Sequence, residues 1–276
     1  MKGKIVLITG ATSGIGKQTA IQLAREGATI VFTSRNTDKG NQTRDEIISL
    51  TNNKDIYMLN CDLGSLKSVK KCSQEYLHKF KHLHVLINNA GVWDFKRKES
   101  ADSIEHTFAV NVLAPFLMTQ QLVDTLKASK PSRIINITSG LHSGTINFDD
   151  IEFKTGFSGF KAYRQSKLAL ILFTRLLAIK LHGTGVTANC VHPGMVSTQL
   201  GRDAGRLSNL VFRTLGHSPV KGAETSVFLA TSPEMESVTG EYFYERKVGK
   251  SSPESSDMEA AERLWNLCME YVKNYL

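Results

Sequence analysis

Tyr163 and Lys167 stand four residues apart in a segment whose pattern predicts a helix. This spacing places both side chains on one helix face, one turn apart. A free phenol has a pKa of about 10, and a neighbouring ammonium group lowers that pKa by favouring phenolate. The pair is therefore a candidate acid/base device for moving a proton to or from an oxygen. Because the two residues also meet at this spacing by chance, the rest of the chain must supply a site around them.

A glycine-rich turn follows the first predicted strand. Residues 4–9 are apolar and β-branched, as in a buried strand, and Gly10, Gly14 and Gly16 lead into a helical pattern. Glycines at such a turn let a ligand approach the backbone, and a helix N-terminus attracts an anion such as pyrophosphate. The spacing is G-x3-G-x-G rather than G-x-G-x-x-G. A plain tight turn stays open, but the position at the first strand of a βαβ pattern favours a dinucleotide.

The end of the second strand predicts which dinucleotide is bound. This strand covers residues 28–33, and positions 33–37 hold Arg35 but no acidic residue. A basic residue here suits the 2′-phosphate of NADP(H), whereas an acidic one suits the ribose hydroxyl of NAD(H). Lys17 and Lys39 could add positive charge. NADP(H) is favoured and NAD(H) stays possible, and Arg35 could still be only a solvated loop residue.

The third strand covers residues 56–63 and ends near Asp62. At this strand end, the Asp62 carboxylate could accept a hydrogen bond from an adenine amino group. A turn or N-cap role is equally open for Asp62.

Several motifs together resemble the short-chain dehydrogenase/reductase family over residues 3–245. T-G-x3-G-I-G spans 9–16, N-N-A-G spans 88–91 and Y-x3-K spans 163–167. Four further segments match the family in the same order along the chain, and they contain Asp62, Asn111, Ser139 and Pro193-Gly194. The resemblance implies a single-domain, doubly wound α/β fold with a parallel, Rossmann-type sheet.

The family resemblance also implies a role for each matched residue. Tyr163 would exchange a proton with the substrate oxygen, Lys167 would lower the tyrosine pKa and hold the nicotinamide ribose, and Ser139 would orient the substrate oxygen. Asn111 would hold a water that links the lysine to solvent. In isolation, Ser139 could simply end a strand and Asn111 could pair inside a helix bundle. The residues expected to bind the cofactor are Gly10, Thr12, Ser13, Gly14, Ile15, Gly16, Arg35, Asp62, Leu63, Asn89, Ala90, Gly91, Tyr163, Lys167, Pro193, Gly194, Val196 and Thr198.

An insertion narrows the resemblance to the retinol dehydrogenase-like branch. Ser139 and Tyr163 are 24 residues apart, longer than is usual, and residues 143–160 read as the extra loop. The branch implies NADP(H) and lipophilic aldehydes, ketones or retinoids. The insertion's aromatic residues are predicted to line an apolar cleft under a lid at about 199–218, although the lid's apolar residues could equally pack a short surface helix. These residues are Phe148, Phe153, Phe157 and Phe160 in the insertion, and Leu207, Leu210, Val211 and Phe212 in the lid.

Composition predicts one domain over residues 1–276, with a terminal helix at about 257–276. Residues 247–257 are predicted to be a loose polar connection. The 276 residues are 41% hydrophobic, which supports a full core, and contain no run of 18 apolar residues that would span a membrane. The first strand begins within five residues of Met1, which leaves no room for a leader or anchor. The four cysteines form no C-x-x-C pair and indicate a reducing compartment, so a cytoplasmic location is expected.

The charged and metal-binding patterns predict neither a nucleic-acid partner nor a metal. The net charge is +8, but the basic cluster at 96–98 is short and lacks interleaved aromatic residues, so it is interpreted as a solvated loop. His78, His82 and His84 lack a nearby carboxylate or thiol cluster, and no metal site is predicted.

Two long helices predict self-association. The helix at 160–181 is apolar on more than one face, and the family builds a dimer interface from this helix and the one at 115–126. A homodimer or homotetramer is therefore predicted, with packing inside one core as the alternative. Pro115 is predicted to separate two helices.

These observations predict a reversible NADP(H)-dependent oxidoreductase that acts on a small-molecule carbonyl or alcohol. The alternative is a non-catalytic NADP(H)-binding sensor or scaffold. Such a protein would keep the glycine loop and lose the acid/base residues, whereas Ser139, Tyr163 and Lys167 are all present.

Overall fold

The structure, a computed structural model that describes residues 1–194 and 218–276, is built on one sheet. The strand order in the described residues is β3-β2-β1-β4-β5-β6-β7-β8, parallel except for the last pair. This arrangement confirms the predicted doubly wound α/β fold. The strands are β1 (Ile5–Ile8), β2 (Thr29–Ser34), β3 (Ile56–Asn60), β4 (Val85–Asn88), β5 (Ser132–Ile137), β6 (Val186–His192), β7 (Tyr242–Tyr244) and β8 (Lys247–Val248).

Helices cover both faces of the sheet and bury two cores. Successive side chains of a strand point to opposite faces, so Leu7 joins the core under α3, α5, α6 and α8, and Val6 and Ile8 join the core under α1, α2 and α7. Burial on both faces explains why the central strands are continuous apolar runs. The helices are α1 (Gly14–Arg25), α2 (Thr37–Thr51), α3 (Leu66–Lys79), α4 (His106–Phe108), α5 (Ala114–Ala128), α6 (Gly159–Lys180), α7 (Pro219–Thr231) and α8 (Met258–Val272).

The topology places a crevice at the centre of the sheet. The chain leaves β1 for β2 and β3 on one side, then returns to β4 on the other side of β1. At such a switch point the connections diverge from the carboxyl ends of neighbouring strands and leave a crevice for a ligand. The predicted site residues follow these strand ends.

Pro115 does not separate two helices, so that prediction was wrong. A π-helical segment, Ala109–Leu113, joins α4 directly to α5, and the Ala114 N–H bonds to the carbonyl of Ala109, five residues back. Pro115 then occupies the first turn of α5, directly after the π-helical segment. The helical path is therefore continuous from residue 106 to residue 128.

The apolar face of α5 and α6, predicted as a subunit interface, packs against α8 of the same chain. The Trp265 ring of α8 lies 5.0 Å from Phe116 and 5.9 Å from Phe173, between ring centroids. Lys180 places its Nζ 4.9 Å from the centre of the same indole. The prediction of partners on several sides of α6 is confirmed by its mostly buried side chains, but at this face the partner is intramolecular.

Residues 247–257 are structured, which corrects the prediction of a loose connection. They contain β8, paired antiparallel with β7, and a 3-10 turn, Pro253–Ser256. Within residues 1–194 and 218–276, no helix is both long and apolar enough to cross a bilayer.

Candidate active site

A cavity of about 950 Å³ lies at the carboxyl ends of the parallel strands. It extends from Arg35 beyond β2 to Tyr163 on α6, passing the glycine turn at the start of α1. The predicted site residues that line it are Gly10, Thr12, Ser13, Gly14, Ile15, Gly16, Arg35, Asp62, Leu63, Asn89, Ala90, Gly91, Ser139, Tyr163, Lys167, Pro193 and Gly194. The structure therefore brings these residues together around one cavity.

The glycine turn packs tightly against the exit of β4. A Cβ added at Gly16 would lie 2.3 Å from Asn89 Nδ2 and 2.6 Å from the Gly10 carbonyl oxygen. Gly10 has a φ of +69°, and a Cβ there would lie 2.9 Å from Ala90 Cα. The Asn89 amide fixes the turn by donating to the carbonyls of Thr9, at 2.8 Å, and Gly10, at 3.1 Å. The glycines thus let the turn seat on β4 while its backbone faces the cavity.

The N-terminus of α1 presents free backbone donors to the cavity. Ser13 is the N-cap residue, yet its side chain caps no N–H group, and the first turn carries no acidic residue. The N–H groups of a first helical turn lack intrahelical partners, and the helix dipole favours an anion beside them. Gly14, Ile15 and Gly16 form this first turn at the cavity wall. The end of α1 is therefore suited to a phosphate group.

The opposite end of the cavity from Tyr163 is basic. Arg35 is exposed on the cavity wall, and among the described residues it makes no ion pair. Lys39 lines the same end, whereas Lys17 pairs with Glu46 and does not line it. Asp62 lines the cavity and also accepts the Gly64 N–H at 3.0 Å. Its position therefore fits both the adenine-binding role and the turn role predicted for it.

Tyr163, Lys167 and Ser139 meet at the far end of the cavity. The Lys167 Nζ lies 5.7 Å from the centre of the Tyr163 ring and donates to the Ile137 carbonyl at 3.0 Å. The Ser139 Oγ accepts the Leu141 N–H at 3.1 Å, and the Ser139 side chain lies close enough to the Tyr163 phenol to favour a lower pKa for that phenol. Tyr163 and Lys167 are each 3% exposed, so both ionisable groups are held in a largely dry environment.

Burial sets the protonation of this pair. It raises the pKa of Tyr163 to about 12, and the neighbouring Ser139 side chain opposes the rise. It lowers the pKa of Lys167 to about 8. We predicted that Lys167 would lower the tyrosine pKa, but in this structure desolvation is the dominant effect because both groups are buried. The phenol is therefore protonated at neutral pH, as a proton donor to a carbonyl must be.

Asn111 lies behind the cavity wall, within the π-helical segment. Its Oδ1 accepts the Val92 N–H at 2.8 Å, and its Nδ2 donates to the Val92 carbonyl at 2.9 Å and to Ser166 Oγ at 3.0 Å. Both ends of the amide are thus bound to protein groups. Asn111 fixes the chain after Gly91, and its side chain does not line the cavity.

An aromatic stack that no sequence motif predicts covers the Tyr163 ring. The Trp93 ring lies 4.6 Å from the Tyr163 ring at an interplanar angle of 14°, and Phe95 stacks on Trp93 at 5.2 Å. Trp93 lines the cavity, as do Val92, His106 and Leu141. The available signal was position, because Trp93 follows the N-N-A-G turn by two residues and so stays at the carboxyl end of β4.

The insertion's aromatic residues do not form the predicted wall. The Arg263 guanidinium lies over Phe148, 4.2 Å from the centre of the Phe148 ring. Phe153 is buried away from the cavity. Phe160 reaches the aromatic stack, 6.2 Å from Trp93. Phe157 is absent from the cavity lining formed by the described residues. Val196, Thr198 and the predicted lid at 199–218, apart from Ser218, lie outside the described residues.

The cavity fits a nicotinamide dinucleotide in shape and chemistry. The glycine turn lets a ligand approach the backbone, and the uncapped N-terminus of α1 offers N–H donors to a pyrophosphate. The basic end of the cavity and the end that holds Tyr163 lie on opposite sides of this helix N-terminus. Within residues 1–194 and 218–276, no group of three histidine, cysteine or acidic side chains could hold a metal ion.

Known proteins with similar sequences define the class of this protein. A sequence model of the short chain dehydrogenase family matches residues 4–207. The chain is 41% identical to human retinol dehydrogenase 13, over 95% of this chain and 82% of that protein. It is 40% identical to mouse retinol dehydrogenase 12, over 98% of this chain and 86% of that protein. The chain belongs to the short-chain dehydrogenase/reductase family, in its retinol dehydrogenase-like branch.

Solved structures agree with this assignment. A putative uncharacterized protein from Mycobacterium Paratuberculosis superposes with a TM-score of 0.81 at 27% identity, covering 99% of this chain and 94% of that chain. A short chain dehydrogenase from Burkholderia cenocepacia J2315, solved in complex with NADP, superposes with a TM-score of 0.72 at 26% identity, covering 88% and 96%. The protein is an oxidoreductase that uses a nicotinamide dinucleotide and acts on the CH–OH group of small-molecule donors. The non-catalytic alternative is not favoured.

Proposed function

We propose that this protein is an NADP(H)-dependent oxidoreductase for lipophilic carbonyl–alcohol pairs of the retinoid class. The observation that carries the proposal is the meeting of Tyr163, Ser139 and Lys167 at the opposite end of the cavity from Arg35, with the Trp93 ring stacked on Tyr163. One end of the cavity thus offers acid/base groups and an apolar surface, and the other offers positive charge.

The protein's own groups would align the substrate oxygen and exchange its proton. A bound nicotinamide supplies or accepts the hydride. Ser139 would donate a hydrogen bond to the substrate oxygen and orient it beside Tyr163. The Tyr163 phenol, with its pKa near 12, would donate a proton to that oxygen during reduction. In the oxidative direction Tyr163 would accept the proton, and the Lys167 ammonium would stabilise the phenolate.

Residues on either side of these groups would hold the cofactor. Lys167 would bind the nicotinamide ribose, and the first turn of α1 would bind the pyrophosphate. Asn111 would act by fixing Val92, since both ends of its amide are already bonded. Asn89, Ala90 and Gly91 would form the cavity floor after β4. Pro193 and Gly194, together with Val196 and Thr198, stay as predicted cofactor contacts.

The basic end of the cavity supports NADP(H) over NAD(H). Arg35 is exposed and makes no ion pair among the described residues, so its guanidinium is available to a 2′-phosphate. Two similar solved chains contain this form of the cofactor, in complexes with NADP and with NADPH. We propose NADP(H) as the preferred cofactor, with NAD(H) as the weaker one.

The apolar surface at the tyrosine end supports a lipophilic substrate. Trp93 and Leu141 line the cavity, and Phe95 extends the stacked rings to an exposed position. Such a surface offers dispersion contacts and few hydrogen-bond partners to a polar substrate. The similar human and mouse proteins are named retinol dehydrogenases, which supports a retinoid or another long apolar aldehyde or ketone.

We further propose that residues 1–276 act as one domain in a reducing compartment, the cytoplasm. The four cysteines are free and buried, which supports the compartment. A homodimer or homotetramer stays a prediction, and it would need a surface other than the part of α5 and α6 that α8 covers. Sedimentation velocity of the purified chain would measure this directly.

A reduction screen tests the proposed substrate and cofactor. The purified protein would be assayed with all-trans-retinal, a long-chain alkanal, a steroid ketone and a polar sugar ketone, each with NADPH and with NADH. We expect kcat/KM for the best apolar carbonyl to exceed that for the sugar ketone by at least about 100-fold, which corresponds to roughly 2.7 kcal/mol of transition-state binding. Comparable turnover of the two classes, or no reduction of any carbonyl, would contradict the proposal.

A further inference from the structure

His142 connects Ser139 to a distant segment of the chain. This imidazole is 5% exposed and lies three residues after Ser139. Its Nδ1 is 2.7 Å from the Ser139 carbonyl oxygen, and its Nε2 is 2.9 Å from the Ser252 backbone nitrogen. Because the carbonyl can only accept and the N–H can only donate, Nδ1 carries the proton and Nε2 accepts. A neutral imidazole protonated at Nδ1 makes both hydrogen bonds at the same time.

Residues 247–257, which we call the strap, are held firmly enough to serve as an anchor. The Arg175 guanidinium on α6 donates to the Ser255 carbonyl at 2.6 Å and to Ser251 Oγ at 2.9 Å. Ser255 is completely buried. The Gly249 N–H donates to the Tyr242 carbonyl at 2.7 Å, which extends the pairing of β7 with β8. The Ser252 N–H therefore belongs to a segment fixed on both sides.

The Ser139 side of this bridge is the end of β5, where the serine enters the cavity. The Ser139 carbonyl accepts from His142 Nδ1 and, at 3.4 Å, from the Tyr242 hydroxyl. The Ser139 Oγ accepts the Leu141 N–H, so the turn from Ser139 to His142 is bonded at both its side chain and its backbone. A shift of the serine backbone would move the Oγ relative to Tyr163, and small misplacements of an aligning group cost large factors in rate.

We propose that His142 is a positioning residue that aligns Ser139 for the reaction by tying its carbonyl to the strap through the Ser252 N–H. The inference rests on the proposed role of Ser139. His142 itself is absent from the cavity lining formed by the described residues, so it acts through Ser139 and does not touch the reacting atoms.

Three substitutions of His142 and Ser139 test the positioning role. His142→Phe keeps a ring and removes both hydrogen bonds, and we expect kcat for carbonyl reduction to fall about tenfold while the Kd for NADPH stays within about twofold. His142→Asn places an amide N–H where Nδ1 lies, so it should restore part of kcat. In a Ser139→Ala background, His142→Phe should cause no further loss, because its effect passes through the serine.

Two substitutions of Ser252 test the other end of the bridge without touching the imidazole. Ser252 has a φ of −63°, which a proline adopts without strain. Ser252→Pro removes the N–H that His142 accepts and should lower kcat as His142→Phe does. Ser252→Ala keeps the N–H and removes the hydroxyl, whose hydrogen bond to the His142 carbonyl is long at 3.5 Å, so kcat should stay close to the wild-type value. If His142→Phe does not fold, the comparison of Ser252→Pro with Ser252→Ala still tests the positioning role of His142.

The outcomes separate this inference from the proposed function. If Ser139→Ala leaves reduction intact, the assignment of Ser139 is wrong and the inference falls with it. If Ser139→Ala lowers kcat to a small residual rate while His142→Phe and Ser252→Pro both keep wild-type kcat, the inference alone is overturned. An equal further loss from His142→Phe in the Ser139→Ala background, or a matching loss of NADPH affinity, would show a general structural role and would also overturn it.

Discussion

The indole ring of Trp93 lies almost parallel to the phenol ring of Tyr163, with 4.6 Å between the ring centroids and 14° between the planes. The two residues come from different parts of the chain, the loop after β4 and the helix α6. Stacking fixes the plane of the phenol. The Lys167 Nζ lies 5.7 Å from the centre of the Tyr163 ring. A substrate that reaches the Tyr163 hydroxyl therefore meets the Trp93 surface at the cavity wall.

Trp93→Ala should weaken the binding of apolar substrates. Losing an aromatic contact of this kind costs about 0.5–1.5 kcal/mol beyond the area it buries, so we expect KM for a long-chain aldehyde to rise about tenfold. Steady-state kinetics at saturating NADPH measures the change. Phe148→Ala is the matched control, because Phe148 packs under Arg263 outside the cavity. Equal KM values in Trp93→Ala and the wild type would remove the indole from the substrate site.

Arg35→Ala should shift the cofactor preference away from NADPH. Loss of a charge-assisted hydrogen bond costs about 1.5–3 kcal/mol, so the Kd for NADPH should rise roughly 10- to 100-fold while the Kd for NADH stays within about twofold. Quenching of protein fluorescence reports both affinities. Lys17→Ala serves as control, since Lys17 pairs with Glu46 and lies outside the cavity lining. A parallel weakening of NADPH and NADH would show that Arg35 does not contact the 2′-phosphate.

Gly16→Ala should displace the glycine turn. The added Cβ would lie 2.3 Å from Asn89 Nδ2 and 2.6 Å from the Gly10 carbonyl, and relieving such contacts costs about 1–3 kcal/mol. We expect a lower free energy of unfolding and a Kd for NADPH at least about tenfold higher. Chemical denaturation and cofactor titration measure the two effects. Gly249→Ala is the control, because a Cβ there meets its neighbours at 3.4 Å. Unchanged NADPH binding in Gly16→Ala would contradict the proposed seat of the pyrophosphate.

The charge of Lys167 should make cofactor capture pH-dependent. Burial lowers the pKa of Lys167 to about 8, so the ammonium is present below this pH and is lost as the pH rises through it. We expect kcat/KM for NADPH, which reports the free enzyme, to fall above about pH 8. In Lys167→Arg the guanidinium stays charged, so this alkaline limb should disappear even though the overall rate is lower. The same limb in Lys167→Arg would assign it to another group.

The sequence predicted those features of the molecule that depend on residues close together in the chain. Apolar β-branched runs located β1 and β2, and glycine spacing located the turn before α1, because both signals depend on neighbouring residues. The carboxyl ends of parallel strands then had to meet, which brought Asp62, Asn89 and Ser139 to one edge of the sheet.

The remaining features depend on contacts between distant segments. No local pattern shows that Trp93 stacks on Tyr163, 70 residues later in the chain, or that His142 bonds to Ser252, 110 residues away. The polar strap was mistaken for a loose connection because its serines are anchored by Arg175 on α6, a contact between distant segments that no local pattern shows. The protonation of Tyr163 was also missed, because it follows from burial and not from the spacing of Tyr163 and Lys167.

The most direct test of the central claim is single-turnover hydride transfer in Tyr163→Phe with NADPH and a lipophilic aldehyde. This change removes one oxygen and keeps the ring that Trp93 covers. We predict a rate lower by a factor of about 10²–10⁴, as expected for loss of a general acid, with an unchanged Kd for NADPH. Hydride transfer in Tyr163→Phe at the wild-type rate, with the cofactor bound, would contradict the account.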